Sequence, residues 1–594
     1  MPTPVHYCTG SVSQYCVGLV NMHAAGTTAW LLLLFNVGLM QMETDDVYNG
    51  LPTTFQEDVE VDCESENIPS WINGYFVRQM CGSIGNSYSI KYIFDCVGIL
   101  GIYHIRDSAV KYSTRMYNTR ATSCLINGTY NVPAWRTLRS KINKQHYYDC
   151  KRKHRSLTDD NPNQGMFAQT DDAVVVHSNL PYMHKINLQN STSRDWTLLF
   201  QNETDDGLIV LYDSDMTIVD SNGTVWGTRL AMIREERDSA QVIRYIYKIE
   251  KNSQEMIKVA EIPASTVNAS QCILSGEKYT YNGNSLEGMV NSIAVTTNYI
   301  IYWQFQSTFN PCPFLKTPDI FPTLPLLDNF DFDSISSHIL DIVVISKSDK
   351  KVRIFQDTPE SQFTGYVINA IETGSDENLQ LTIDLMTYHL TYYYDLYTMY
   401  QPLKDHFPME TWLTRYILEP SRMDLRRLAL STNFSVMLQF PVINPSYYNN
   451  PSYSNFYVLL KAHELHSQVC KFSITNNAAK IEKRWEVPNN PDVYLTEMAF
   501  VKHPDCRSED DGALLVSAFN STAAKGLLYV LNAKTMVEIG RSVVPIPTPY
   551  GFKGMFIANS TSAAFSVFHF YTSILGMLCW YLSEVIQTLL SVQR

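Results

Sequence analysis

The chain has 594 residues, with 46 basic and 59 acidic side chains and a formal net charge of −13. That balance excludes a nucleic-acid binder, whose partner's phosphates call for a basic surface. Charged residues make up only 18% against 45% hydrophobic, and mean hydropathy is −0.15. Neither a disordered acidic chain nor a polytopic membrane protein has that composition.

The first feature in chain order is an apolar run at residues 29–40 (AWLLLLFNVGLM). It is too short to cross a bilayer, which takes roughly 20 helical residues, and has the length of a signal-peptide core. The first Lys or Arg of the chain is Arg78, so the positive flank of a signal peptide is missing. A buried or disordered apolar leader is the competing reading of residues 1–54.

From about residue 55 to residue 557, short apolar runs alternate with turn residues. Gly207-Leu-Ile-Val-Leu-Tyr-Asp, Val242-Ile-Arg-Tyr-Ile-Tyr-Lys-Ile and Ile342-Val-Val-Ile-Ser are typical. β-branched and aromatic runs separated by Asn-Gly or Asp-Gly predict many hairpins, and hence an all-β propeller or stacked sandwiches. No sequence repeat fixes a blade count. The Pro-rich stretch 312–325 reads as a long surface or lid loop, and residues 409–418 as a helical turn. Twelve Cys lie scattered without C-x-x-C spacing, so no metal ribbon is written locally and disulfide connectivity is not readable.

Residues 563–582 (AAFSVFHFYTSILGMLCWYL) contain no Lys, Arg, Asp or Glu. They predict a membrane-spanning helix in the 558–594 extension, with a core helix, a partner-binding helix or a GPI signal as alternatives. Eight N-x-S/T sequons, at Asn127, Asn190, Asn202, Asn222, Asn268, Asn433, Asn520 and Asn559, tilt the expectation towards a glycoprotein of the secretory pathway. A cytoplasmic membrane-associated protein is the alternative.

His463 and His466 read as a solvated pair, and His503 as part of a turn. The basic run 151–155 reads as a solvated loop, with anionic lipid contact as the minority reading. Cys150 beside it reads as buried or disulfide-bonded rather than acylated.

Several segments, in order, resemble the carotenoid cleavage oxygenase family, in particular its animal carotenoid oxygenase and retinoid isomerase branch. Ile68-Pro-Ser-Trp-Ile-Asn-Gly-Tyr-Phe-Val-Arg78 resembles the family's opening "IPxWLxGxLLRNGPG". Thr170-Asp-Asp-Ala173 is similar to "TDNA", and Leu438-Gln-Phe-Pro-Val-Ile-Asn444 to "FEFPxIN". Phe500-Val-Lys-His-Pro-Asp505, Glu509-Asp-Asp-Gly512 and Leu531-Asn-Ala-Lys534 are the strongest match. The resemblance implies a seven-bladed β-propeller with a loop cap. It also implies Fe(II) held by four His on the axis and an apolar tunnel above.

Each ligand His of that family sits in a recognisable motif. "HPHxxxDGT" is similar to Met216-Thr-Ile-Val-Asp220-Ser-Asn-Gly-Thr224, with Met216 at the ligand position. "HSFGxTxNY" is similar to Asn291-Ser-Ile-Ala-Val-Thr-Thr-Asn-Tyr299, with Asn291 there. "FHHxNAYE" is similar to Gly365-Tyr-Val-Ile-Asn-Ala-Ile-Glu372, with Tyr366, and "GFHGxF" to Gly551-Phe-Lys-Gly-Met-Phe556, with Lys553. Gln439 stands where one of the acids that orient the imidazoles is expected, and Glu497 is the acid that remains. A cation at Lys553 needs a partner, so a Lys553–Glu497 salt bridge is expected to stand in for the metal.

The sequence therefore points to a non-catalytic member of the family with no cofactor, binding a carotenoid, retinoid or other apolar ligand. One alternative is an Fe(II)-dependent dioxygenase that cleaves a polyene double bond. The other is a membrane-tethered interaction domain.

Overall fold

Alternating apolar runs with tight turns pair most readily with their neighbours in sequence, because short hairpins cost the least loop entropy. In the computed structural model they form seven four- or five-stranded antiparallel sheets arranged as the blades of a propeller. The structure describes residues 59–82, 97–119, 161–177, 183–189, 197–199, 208–283, 288–304, 308–316, 330–331, 340–389 and 410–559, apart from a few single positions and short gaps within them. Asn291 is one of those gaps.

Seven strands follow one another around the centre: Gly165–Thr170, Ile218–Val219, Ile293–Val295, Gln362–Thr373, Met437–Val442, Val493–Lys502 and Gly551–Ala558. In each blade the remaining strands add outward as a meander.

The ring closes between its ends. Gly551–Ala558 pairs antiparallel with Gly74–Gly82, in a register running from Gly74 opposite Ala558 to Gln79 opposite Lys553. Glu64–Glu66 meanwhile joins the last blade beside Glu538–Val544, and Val59–Asp62 forms the outer edge of the first. One N-terminal segment thus ties the first and last blades together. Gly74 has a φ of 151° and lies against the backbone of Ile557 and Ala558, a close approach that needs a residue without Cβ.

The strand ends at Gly82 and Val97, Gln304 and Leu340, and His389 and Thr411 lie at the face where the inner strands begin. The opposite face carries short turns such as Asp107-Ser108 and Asn476-Asn477, whose residues adopt left-handed φ.

Two expectations meet the structure differently. In place of the helical turn expected over residues 409–418, Thr411–Glu419 is a strand paired on both sides. Leu413, Tyr416 and Ile417 mimic helical spacing, but both faces of the strand are buried, which erases the two-residue period. The stretch read as a loop begins with the short helix Cys312–Lys316, and Cys312 is disulfide-bonded to Cys272.

The leader, residues 563–582, the 151–155 run, Cys150, His463, His466, Asn127, Asn190, Asn202 and Asn433 lie outside the described residues. Among the described residues no helix is long and apolar enough to cross a membrane. Asn222 and Asn268 are exposed, and Asn520 and Asn559 are partly exposed.

Candidate ligand site at the propeller axis

Four inner strands each carry a β-bulge at the position the sequence singles out. One extra residue is inserted between Thr364 and Val367, around Tyr366. Another falls between Gln439 and Val442, and a third between Leu495 and Met498, around Glu497. On Gly551–Ala558 the shift falls beside Lys553. A bulge breaks the strict alternation of a strand and re-aims its side chains. Phe440, inside the second bulge, has a φ of 51°, a costly conformation for an aromatic residue.

These positions are linked around the ring. Met216 forms a parallel bridge with Ser292. The Val367 N–H donates to Ser292 Oγ at 3.4 Å. The Tyr366 ring packs edge-on against Phe440, with centroids 6.1 Å apart, and against Tyr388 at 6.4 Å. Gln439 keeps a buried Oε1 with no hydrogen-bond partner among the described residues. Beside Met216, Thr217 Oγ1 lies 3.2 Å from His177 Nε2. The Gly-Thr turn that follows is held by Asp220, which accepts from the N–H groups of Asn222 and Thr224 and from Trp226 Nε1.

Glu497 does not pair with Lys553. Its carboxylate accepts from Arg78 Nε, in an ion pair with both side chains buried. Arg78 also donates to Thr496 Oγ1 at 3.2 Å and to the Pro549 carbonyl at 3.0 Å. Glu497 packs on Gly551 and Gly554, where a Cβ would meet its side chain. With that carboxylate taken up by Arg78, the expected salt bridge to Lys553 does not form. Arg78 was legible as a signal: it is the first basic residue of the chain and sits in an apolar strand of the opening motif.

Lys553 is partly buried on the innermost strand of the first blade. Protein surrounds its ammonium, yet the side chain keeps some accessible surface. Burial pushes its pKa down to about 8, because a charged amine loses hydration there. Among the described residues no carboxylate forms a salt bridge with it. The cross-strand neighbour is Gln79, a buried amide whose Nε2 donates to the Pro162 carbonyl.

A four-imidazole ferrous centre needs neutral nitrogen donors and open coordination positions. A thioether at 216, a phenol at 366 and an amine that is largely protonated at neutral pH do not fit that group. Among the described residues no three His, Cys, Asp or Glu side chains converge to hold a metal ion.

The segment most similar to the family by sequence is structural. His503 Nδ1 accepts from the Asp505 N–H at 3.1 Å, and its ring packs on Trp71. Glu509 accepts from Ser454 and Asn455. Asp510 pairs with the buried Lys471 at 2.9 Å. The Glu509 and Asp510 contacts dock the last blade on the one before it, and His503 packs it on the segment leading into the first.

A family model described as "Retinal pigment epithelial membrane protein" matches residues 50–558. The chain is 31% identical over 121 residues to the mitochondrial carotenoid-cleaving dioxygenase of Mustela putorius furo, covering 20% of this chain and 21% of that protein. It is 23% identical over 284 residues to carotenoid 9,10(9',10')-cleavage dioxygenase 1 of Phaseolus vulgaris, covering 46% of this chain and 49% of that protein. The matched stretches thus span a fifth to a half of these relatives. Among solved structures, a mutant of the Synechocystis apocarotenoid oxygenase superposes with a TM-score of 0.62 at 15% identity, over 86% of this chain and 98% of that one. An ACO/RPE65 chimera gives the same score, identity and coverage. At that identity the structures establish the fold alone.

Proposed function

Because the chain belongs to the retinal pigment epithelial membrane protein family, the family of the carotenoid oxygenases, we propose that it holds an apolar polyene in the centre of its propeller without iron and without cleaving it. The observation that carries this reading is Lys553. On the innermost strand, at the position matching a ligand His, stands a partly buried amine with no salt-bridge partner among the described residues. A ferrous ion beside such an ammonium is repelled, and the amine offers no lone pair while protonated. Met216 and Tyr366, matching two further ligand positions, add apolar and aromatic surface of the kind that lines sites for apolar ligands.

A dioxygenase is the second reading, and the printed names of the relatives favour it. It requires iron ligands other than those the motifs identify. The Cys272–Cys312 bridge and the exposed sequons support folding in an oxidising, secretory compartment.

The test uses the full chain in mild detergent. All-trans-retinol is titrated against intrinsic tryptophan fluorescence, with and without anaerobic Fe(II). Saturable quenching that does not depend on iron supports the reading. Quenching only with iron, or polyene cleavage in air, contradicts it.

A further inference from the structure

Loops from the first three blades meet on the face that carries the short turns. Thr170 ends the inner strand of the second blade and leads into the turn Asp171-Asp172. Lys251-Asn252 lies in the turn between Ser239–Ile249 and Met256–Asn268 of the third blade. Asn559 follows Gly551–Ala558, the strand that closes the ring. Hydrogen bonds to the backbone fix these loops. The Asn252 N–H donates to the Gln169 carbonyl at 3.4 Å, and the Asn559 N–H to the Asn73 carbonyl at 3.1 Å. The Gln169 side-chain amide donates to the Ser253 carbonyl. Between the loops lies an open cleft of about 350 Å³, lined by these turn residues, Gln189 and Asn559.

Every residue lining the cleft is polar, and none is aromatic or aliphatic. An apolar ligand has no surface to bury there. The carboxylates of Asp171 and Asp172 accept hydrogen bonds from hydroxyls. The amides of Gln189 and Asn252 both donate and accept, and Lys251 donates. That set suits a polyhydroxylated ring carrying an amide. The volume falls at the low end of small-molecule sites, roughly 300–1,000 Å³, which is room for a sugar ring. One lining residue is itself an attachment point for such a ring. Asn559 opens the sequon Asn559-Ser560-Thr561, and its side-chain amide is a type that carries N-acetylglucosamine in secreted proteins. Of the sequons at Asn222, Asn268, Asn520 and Asn559 among the described residues, Asn559 alone lines the cleft.

We propose that the N-glycan of Asn559 seats its first N-acetylglucosamine in this cleft and clasps the end of the ring-closing strand to the second and third blades. The inference rests on the reading that the chain folds in the secretory pathway, and adds where one glycan binds. The donor is a lipid-pyrophosphate-linked oligosaccharide of that compartment. A bond forms from the Asn559 amide nitrogen to C1 of the sugar. The C1–O bond to the lipid pyrophosphate breaks, and the amide gives up one proton. A free sugar binds weakly to a small, open and wholly polar site, because water competes for each hydrogen bond. A tethered one is present at an effective concentration on the order of millimolar, so modest contacts suffice to hold it.

The experiment produces the full chain in a secretory-pathway host, keeps it folded in mild detergent and treats it with peptide N-glycosidase. Release at each site is followed by mass spectrometry as conversion of Asn to Asp. Asn268, at the far end of its strand from the cleft, is the reference. In the folded protein Asn559 is expected to be released about tenfold more slowly than Asn268, because the enzyme reaches it only after local opening. After denaturation the two rates should match. The double variant Asp171→Ala with Gln189→Ala removes contacts in the cleft and leaves the sequon intact. It should bring release at Asn559 towards that at Asn268, with a thermal melt to check that it folds. Asn559→Gln should lower the melting temperature more than Asn268→Gln does.

Equal release at the two sites in the folded protein overturns the inference. So does protection that the double variant leaves unchanged. An Asn559 without glycan beside a glycosylated Asn268 also overturns it, while the secretory reading stands. If no site carries a glycan, both fall together.

Discussion

Arg78 and Glu497 form a buried ion pair between the first and last blades of the propeller, with side-chain exposures of 0% and 1%. It lies where the ring closes, beside the strand Gly551–Ala558 that completes the first blade. Removing one partner leaves the other charge buried and unpaired, which costs about 3–5 kcal/mol. Glu497→Gln and Arg78→Met should each lower the urea midpoint by an amount of that order. The double variant Arg78→Met with Glu497→Leu should lose less than the sum. Strict additivity would mean the two side chains do not act as a pair.

Lys553 gives a pH signature with a definite sign. Its pKa falls from 10.5 unfolded to about 8 folded, through burial. The unfolded chain therefore holds more protons between those values, so stability rises with pH across that window. Below pH 8 the full cost of burying the ammonium is present. Lys553→Met should stabilise the protein at pH 7 by roughly 2–3 kcal/mol, and the gain should fade as pH approaches 10.5. Denaturant melts of both proteins from pH 7 to pH 10 check this. A gain that does not vary with pH would assign the effect to packing alone.

The Cys272–Cys312 disulfide closes 40 residues of chain. Constraining a loop of that size in the unfolded state stabilises by about 3–4 kcal/mol. Cys272→Ser should show a matching loss, and wild type under dithiothreitol should behave the same way. A reduced protein as stable as the oxidised one would contradict this.

Glycosylation follows exposure. Asn222 sits in the exposed turn at Asp220–Thr224 with its N–H bonded to Asp220. Asn268 caps a short helical turn through its Oδ1, leaving Nδ2 available. In protein from secretory-pathway expression, Asn222→Gln and Asn268→Gln should each remove one glycosidase-sensitive mass increment. A chain whose mass does not change on deglycosylation would argue against that compartment.

Much of the fold was legible in the sequence, because β-branched runs and turn residues report hairpins directly and the order of motifs reports the ring. The strand Thr411–Glu419 was misread because a strand buried on both faces loses its alternation. The site was half legible. Motif spacing singled out Met216, Tyr366, Gln439, Glu497 and Lys553, and the structure places them on or beside the inner strands. What the spacing could not carry was direction. The bulges at Tyr366, Glu497 and Lys553 are set by register, and no residue type in the sequence marks them. That is why Glu497 was expected to face Lys553 when it faces Arg78. The positive φ of Phe440 left no sequence signal either.

Whether the axis holds a ferrous ion is read by elemental analysis. The full chain is reconstituted with Fe(II) under anaerobic conditions, desalted, and analysed for iron per chain. A level near zero on a folded protein is expected. About one tightly held iron per chain would contradict it, and would mean that the ligands lie at positions other than Met216, Asn291, Tyr366 and Lys553.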